Sequence, residues 1–217
     1  MSSPSIHRGL ENNLHCTERR LNRFRLFAKT NADNLNIAHN PSLSMSQHSK
    51  LFGIGLSRTG TWSLTAALRI LGYSAVHCPS SFEQIVANEA ATDTPIALAY
   101  KALDLFFPNS KFILTDRNLD DWLASCERFF LNSPKPRGSY FYKIRTALYG
   151  TADFDVVAFS EAHKRHLSDV RAHFSTRPED LLVMRICDGD GWDTLCSFLE
   201  KPHPPITFPH RNKSKRN

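Results

Sequence analysis

The sequence predicts an α/β fold, a three-layer α/β/α arrangement built around a mainly parallel sheet. Two observations carry that expectation. Short apolar runs alternate with stretches of helical periodicity from residue 51 to residue 199, and the first of these runs enters a glycine loop that opens a helix. A length of 217 residues leaves room for one such domain with a buried core and irregular ends.

The elements follow in order. LFGIGL (51–56) reads as a buried strand, and 61–72 as a helix whose Leu64, Ala67, Leu68 and Leu71 form one stripe ending at Gly72. YSAVHC (73–78) is a second strand, after which 80–92 reads as loop. A helix from Pro95 to Phe107 has proline in its first turn and Pro108 just past its end. KFILT (111–115) is a third strand, followed by a helix from Leu119 to about Phe130. Residues 132–154 read as loop, 157–175 as helix, DLLVMRI (180–186) as a fourth strand and 190–199 as a last helix.

This places one domain at 50–210, between an N-terminal extension (1–49) and a basic tail (211–217). The extension is rich in Ser, Asn and His. Only ERRLNRFRLFAK (18–29) shows periodicity, with Leu21, Phe24, Leu26 and Phe27 able to share a face. Three readings stand for it: a disordered extension, a targeting or membrane-surface helix, or a leader to a true start at Met45.

The formal charge of +6 belongs to the ends. Residues 1–50 contribute +4 and 201–217 contribute +5, which leaves −3 for the segment between. A mildly acidic core without a basic aromatic stripe argues against nucleic acid as a partner. The five cysteines (Cys16, Cys78, Cys126, Cys187, Cys196) form no CxxC pair and no zinc-like spacing with histidine. No run of eighteen apolar residues and no signal-peptide core occur, so the expectation is a soluble, cytoplasmic protein without a transmembrane segment.

The loop carries the chemistry. Gly55 and Gly60 bracket four residues, as in the GxxxxG half of a Walker A loop, but Thr61 and Trp62 stand where that motif puts Lys and Ser or Thr. A strand running into such a loop aims backbone N–H groups and the positive end of a helix dipole at one spot. Without the lysine and the metal-binding hydroxyl, that spot suits an anion whose reaction needs no metal, with Arg58 as cation and Thr61 as hydroxyl donor.

GLSRTGTWSL, LTDRNLDDWLASC and LLVMRICDGDGWDTLCSFLE together resemble the sulfotransferases that use 3′-phosphoadenosine-5′-phosphosulfate (PAPS), especially a branch of short soluble sulfotransferase-like proteins, over about residues 51–210. The resemblance implies a P-loop-like fold, PAPS as co-substrate, no metal, and a small-molecule acceptor. Arg58, Thr59, Gly60 and Thr61 match the loop that binds the 5′-phosphosulfate in that family, while Trp62 replaces its second threonine. Arg117 and Ser125 match the strand-end arginine and the serine eight residues on that bind the 3′-phosphate. Arg211, Asn212 and Lys213 lie near the place of a C-terminal basic stretch over that phosphate.

The family draws its general base from one of two places, just after the second strand or in a stretch ending in proline. Asp93 in ATDTP is the first candidate, His77 the rival and Glu83 the third. The bland alternatives are helix capping for Asp93, strand-end packing for His77, and helix packing for Trp62.

Asp188 and Asp190 in CDGDGW lack the rest of a calcium loop and read as a turn entering the last helix, with Trp192 packed. His163 and His166 read as surface histidines. Phe129, Phe130, Tyr140, Phe141 and Tyr142 hint at an aromatic wall beside the acceptor. Three functions stand at this point: a PAPS-dependent sulfotransferase, a non-catalytic relative that keeps the anion site, and a Mg-dependent nucleotide kinase or NTPase.

Overall fold

The computed structural model describes residues 49–210. Residues 1–48 of the extension, with the 18–29 stretch read as periodic, and the 211–217 tail with Arg211, Asn212 and Lys213, lie outside the described residues.

Five parallel strands run in the order β2-β3-β1-β4-β5: β1 (Leu51–Gly53), β2 (Ala75–His77), β3 (Ala90–Thr92), β4 (Lys111–Thr115) and β5 (Leu181–Met184). The helices are α1 (Thr61–Ile70), α2 (Phe82–Val86), α3 (Thr94–Phe106), α4 (Leu119–Leu131), α5 (Tyr140–Tyr149), α6 (Val156–His173) and α7 (Trp192–Leu199). Side chains alternate across the sheet. Phe52 and Phe112 are register partners whose rings lie 5.4 Å apart, while Leu51 and Ile113 join the cluster on the other face with Leu64, Leu68 and Leu195. That second face is covered by α1 and α7. Helices α3 to α6 pool Ala97, Trp122, Cys126, Phe130, Tyr149 and Phe159 into a separate aromatic-rich cluster.

Chain crossovers place the site. From β1 the chain moves outward through α1 to the edge strand β2, whereas α3 carries it from β3 past β1 to β4 on the opposite side. Ligands of open α/β sheets bind beyond the carboxyl ends of the strands where the winding reverses, here around the end of β1.

Three expectations change. The 80–92 segment is not a plain loop: it holds α2 and β3. Strand β3 is three residues of Ala-Ala-Thr between β2 and β1, so its strandness comes from burial and pairing and not from propensity. The 132–154 segment contains α5, started by Ser139, whose hydroxyl accepts from Tyr142 N–H, and ended by Gly150 at φ 87°. His163 and His166 are both 6% exposed and face inward, because α6 turns its histidine edge onto the sheet. Elsewhere the expected elements are present, β4 to the residue, but β1, β2 and β5 are shorter than the 51–56, 73–78 and 180–186 runs because the chain leaves the sheet early to form the loops above it; Trp192 is packed at the turn that enters α7.

Gly55 is sterically required. A β-carbon there would lie 1.8 Å from Thr115 Oγ1 and 2.6 Å from the Thr115 carbonyl oxygen, so the loop must shift to admit one. Gly55→Ala is therefore expected to lower stability by about 3 kcal/mol, measured by urea unfolding, with no change in the helical circular dichroism of the folded state.

Candidate active site

Apart from Ser125 on α4 and Glu83 on α2, the candidate residues sit at or past the carboxyl ends of strands. His77 closes β2, Asp93 follows β3, Arg58 to Thr61 follow β1, and Arg117 follows β4. The loop after β1 keeps its strand pairing one residue further, with Ile54 N–H donating to Ile113 O at 2.9 Å, and then turns. His166 Nε2 donates to the Ile54 carbonyl at 2.7 Å and so props the turn from beneath. Burial pushes the His166 pKa down to about 4, which keeps the ring neutral.

Ser57 is the most heavily tethered residue of the loop. Its N–H donates to Tyr149 Oη at 3.2 Å, its carbonyl accepts from Trp122 Nε1 at 2.8 Å, and its hydroxyl donates to Asp93 Oδ1 at 3.1 Å and also meets Thr94 Oγ1. Thr59 is buried, its hydroxyl donating to Leu56 O at 2.7 Å and lying 2.6 Å from Thr115 Oγ1. That hydroxyl braces the loop internally and is not turned toward a ligand. Gly60 takes φ 103° at the start of α1, and Leu64 N–H reaches back to Gly60 O at 3.0 Å. The first turn, beginning at Thr61, is the positive end of the helix dipole.

The two arginines converge on this loop. Arg58 Nε donates to Ser125 Oγ at 3.1 Å, and Arg117 Nη1 donates to the Arg58 carbonyl at 3.3 Å. Ser125 is 1% exposed and presents its oxygen to the loop from α4, whose cap is Asn118 and not Arg117. Neither guanidinium has a carboxylate within ion-pairing distance among the described residues. Burial lowers the Arg58 pKa, and the Arg117 and Arg128 charges push in the same direction. Two half-buried cations held together with no acid between them make a site that an anion relaxes.

Asp93 occupies the N-cap position of α3 without capping it. Its backbone stands at φ 82°, held by Asp93 N–H to Gly53 O at 3.2 Å and by Ile96 and Ala97 N–H to Asp93 O. The carboxylate turns to Ser57 and Thr94 at Oδ1, and to His77 Nε2 at Oδ2, 3.2 Å away. Arg58, Cys78 and Asp93 are three of the five non-glycine residues with positive φ among those described, and all three lie at this mouth. Burial lifts the Cys78 pKa to about 12, with the Asp93 charge adding to it, so the sulfur there is a thiol. Glu83 is exposed on α2, where a hydrogen bond from Ser81 lowers its pKa, and it takes no part in this cluster.

The proton positions around His77 follow from its neighbours. Asp93 Oδ2, 3.2 Å from Nε2, can only accept, so Nε2 carries the proton and donates to it. In the neutral ring Nδ1 is then the acceptor, 3.1 Å from Thr92 Oγ1 and 3.2 Å from Thr65 Oγ1, two hydroxyls that lie 2.6 Å from each other. Burial lowers the His77 pKa, against the pull of Asp93, and Trp62 stacks on the ring at 4.4 Å and 18°. Trp62 is 41% exposed, so it covers His77 and is not part of the core.

A loop that gathers two guanidiniums, without a carboxylate partner among the described residues, at a helix N-terminus, beside a carboxylate hydrogen-bonded to an imidazole, suits group transfer from an anionic donor. Residues 50–89 and 80–217 match the family model described as the sulfotransferase domain. The chain belongs to the sulfotransferase domain family. This family member is also similar to Ava biosynthesis cluster protein M of Aspergillus versicolor, 25% identical in an alignment 211 positions long that covers 74% of this chain and 80% of that protein. Membership supports sulfotransfer as the general activity. Among the described residues of this sulfotransferase-family chain, no helix is long and apolar enough to cross a membrane, and no group of three or more His, Cys, Asp or Glu is placed to hold a metal ion.

Sequence reasoning missed Ser57, Trp122, Tyr149 and His166 as supports of the loop. Ser57 lay inside the quoted loop, but nothing in its neighbours signals which side chains reach it. His166 has a folded pKa of about 4 against an ordinary 6.5, so the unfolded chain binds more protons between those values. Its contribution to stability is complete above pH 6.5 and is lost as pH falls toward 4, by roughly 3 kcal/mol. His166→Gln is expected to flatten the acid side of a stability-against-pH curve over that interval, measured by urea midpoints at each pH.

Proposed function

We propose that this chain transfers a sulfuryl group from PAPS to a hydroxyl or amine of a small-molecule acceptor, in line and without a metal ion. The observation that carries the reading is the pair of guanidiniums, Arg58 and Arg117, drawn to one loop with no carboxylate partner among the described residues. Arg58 and the first-turn amides of α1 bind the 5′ end, where charge grows on the bridging oxygen as its bond to sulfur breaks. Arg117 and Ser125 bind the 3′-phosphate. Thr59 holds the loop in shape, and Gly60 and Thr61 supply backbone donors.

Asp93 is the base and His77 its positioning partner. Asp93 receives the acceptor's proton as the new bond to sulfur forms, and the neutral His77 donates from Nε2 to Oδ2 across 3.2 Å and holds the carboxylate for it, whereas a protonated ring would hold that charge too tightly for it to act as base. The electron pair of the broken bond leaves with the 5′-phosphate oxygen. Donors at Asp93 Oδ1, from Ser57 and Thr94, fix the carboxylate in place.

Calorimetry with the desulfated product, 3′-phosphoadenosine-5′-phosphate (PAP), tests the donor site. Arg58→Ala and Arg117→Ala should each weaken binding by roughly 10- to 100-fold, and unchanged affinity in both sinks the reading. Asp93→Asn should abolish turnover while PAP still binds.

The pH profile tests the base. Because burial lowers the His77 pKa, the rate should rise with pH along a limb centred below 6.5 and level off near neutrality. Trp62→Ala lets water reach the ring, so the limb should move to higher pH, and titration of the His77 ring by NMR should move with it.

A further inference from the structure

Arg145 is the buried cation that the donor site leaves unused. It is 6% exposed, yet among the described residues its guanidinium has one protein acceptor, Ser133 O, 2.8 Å from Nη1. No carboxylate there lies within ion-pairing distance of it. Its plane rests over Phe130 at 4.2 Å and reaches Phe129 at 5.8 Å, the same ring that Arg58 approaches at 5.0 Å. Arg145 is therefore one aromatic ring away from the phosphosulfate loop.

Phe129, shared with Arg58, and the bond to Ser133 O place Arg145 between the loop and the α4–α5 connection that carries Lys135, within electrostatic reach of Asp93. Asp153, the other acid that Arg145 feels, is exposed and forms no ion pair with it. Lys135, on the connection between α4 and α5, likewise has no ion pair among the described residues. One nitrogen of this guanidinium is taken by a protein acceptor, and its remaining N–H groups suit an anion opposite it. Its fork suits a carboxylate, and the ring of Phe129, which is 36% exposed, suits an aromatic body behind that group.

We propose that Arg145, with Lys135 beside it, binds a carboxylate of the acceptor, so that the acceptor is an aromatic hydroxy acid whose hydroxyl is brought to Asp93 by its acid group. This rests on the sulfotransfer reading above and names the substrate class for it. Arg145 then sets specificity, and Asp93 does the chemistry.

The test compares matched acids and esters. The full chain, saturated with PAP, is titrated by calorimetry with 4-hydroxybenzoate, 4-hydroxyphenylacetate and 3-(4-hydroxyphenyl)propanoate, and with the methyl ester of each. At least one acid should bind roughly 10-fold or more tightly than its ester. Arg145→Met should erase that difference and leave PAP affinity and ester binding as they were, while Arg145→Lys should keep part of it. Equal binding or no binding of every acid and ester, or an acid preference that survives Arg145→Met, overturns the proposal. Should Arg145→Met fail to fold by circular dichroism, the wild-type comparison and Arg145→Lys decide. PAP binding is read separately: loss of PAP with Arg145-dependent acid binding sinks the donor reading alone, and PAP binding with indifference to the acids sinks this one alone.

Discussion

The hydrogen bond from His166 Nε2 to the Ile54 carbonyl fixes where β1 stops being a strand, and the geometry above the sheet depends on that point. A carbonyl freed from its ladder at a buried strand end needs a donor, and a neutral imidazole from α6 provides it without bringing a charge into the core. One residue later Gly55 passes against Thr115 at a distance no side chain tolerates. The turn is thereby set from two directions, by a donor below and by a backbone contact at its side.

From that turn the tethers radiate to every layer. Trp122 on α4 and Tyr149 on α5 hold the Ser57 carbonyl and N–H, Thr59 is tied to β4 through Thr115, and the Ser57 hydroxyl reaches Asp93 beyond β3. The strained φ of Arg58 and Asp93 persists because neighbouring bonds determine both ends of each residue. Strain of this kind, on the order of 1–3 kcal/mol per residue, holds side chains toward one another where relaxed backbone would turn them apart.

Much of this was legible beforehand, and the reason differs from place to place. KFILT is a strand by any local measure, being β-branched and apolar between turn signals, and GLSRTGT carries its geometry in its glycines. Strand β3 was not legible because Ala-Ala-Thr has no strand propensity of its own and is shaped by two neighbours far away in sequence. Helix α5 was readable from Ser139 and Gly150 at its ends, but the proline-rich approach and the Tyr-Phe-Tyr start masked the caps. His163 and His166 misled because histidine is neutral when buried, so its presence on a polar helix says little about which way it faces. Arg58, Arg117 and Ser125 were placed together by their motifs, whereas the meeting of His77 with Asp93 required β2 and β3 to be neighbours, which only the sheet order reveals.

The thiol of Cys78 has a consequence for the chemical environment of this mouth. At a pKa of about 12, roughly one molecule in 10⁵ carries the thiolate at neutral pH. Sulfur in that form is a poor partner for peroxides and for electrophilic carbon. A compartment with fluctuating oxidants, or an acceptor with a reactive double bond, would thus meet an inert wall there, and inactivation by alkylating reagents would have to begin somewhere else on the molecule.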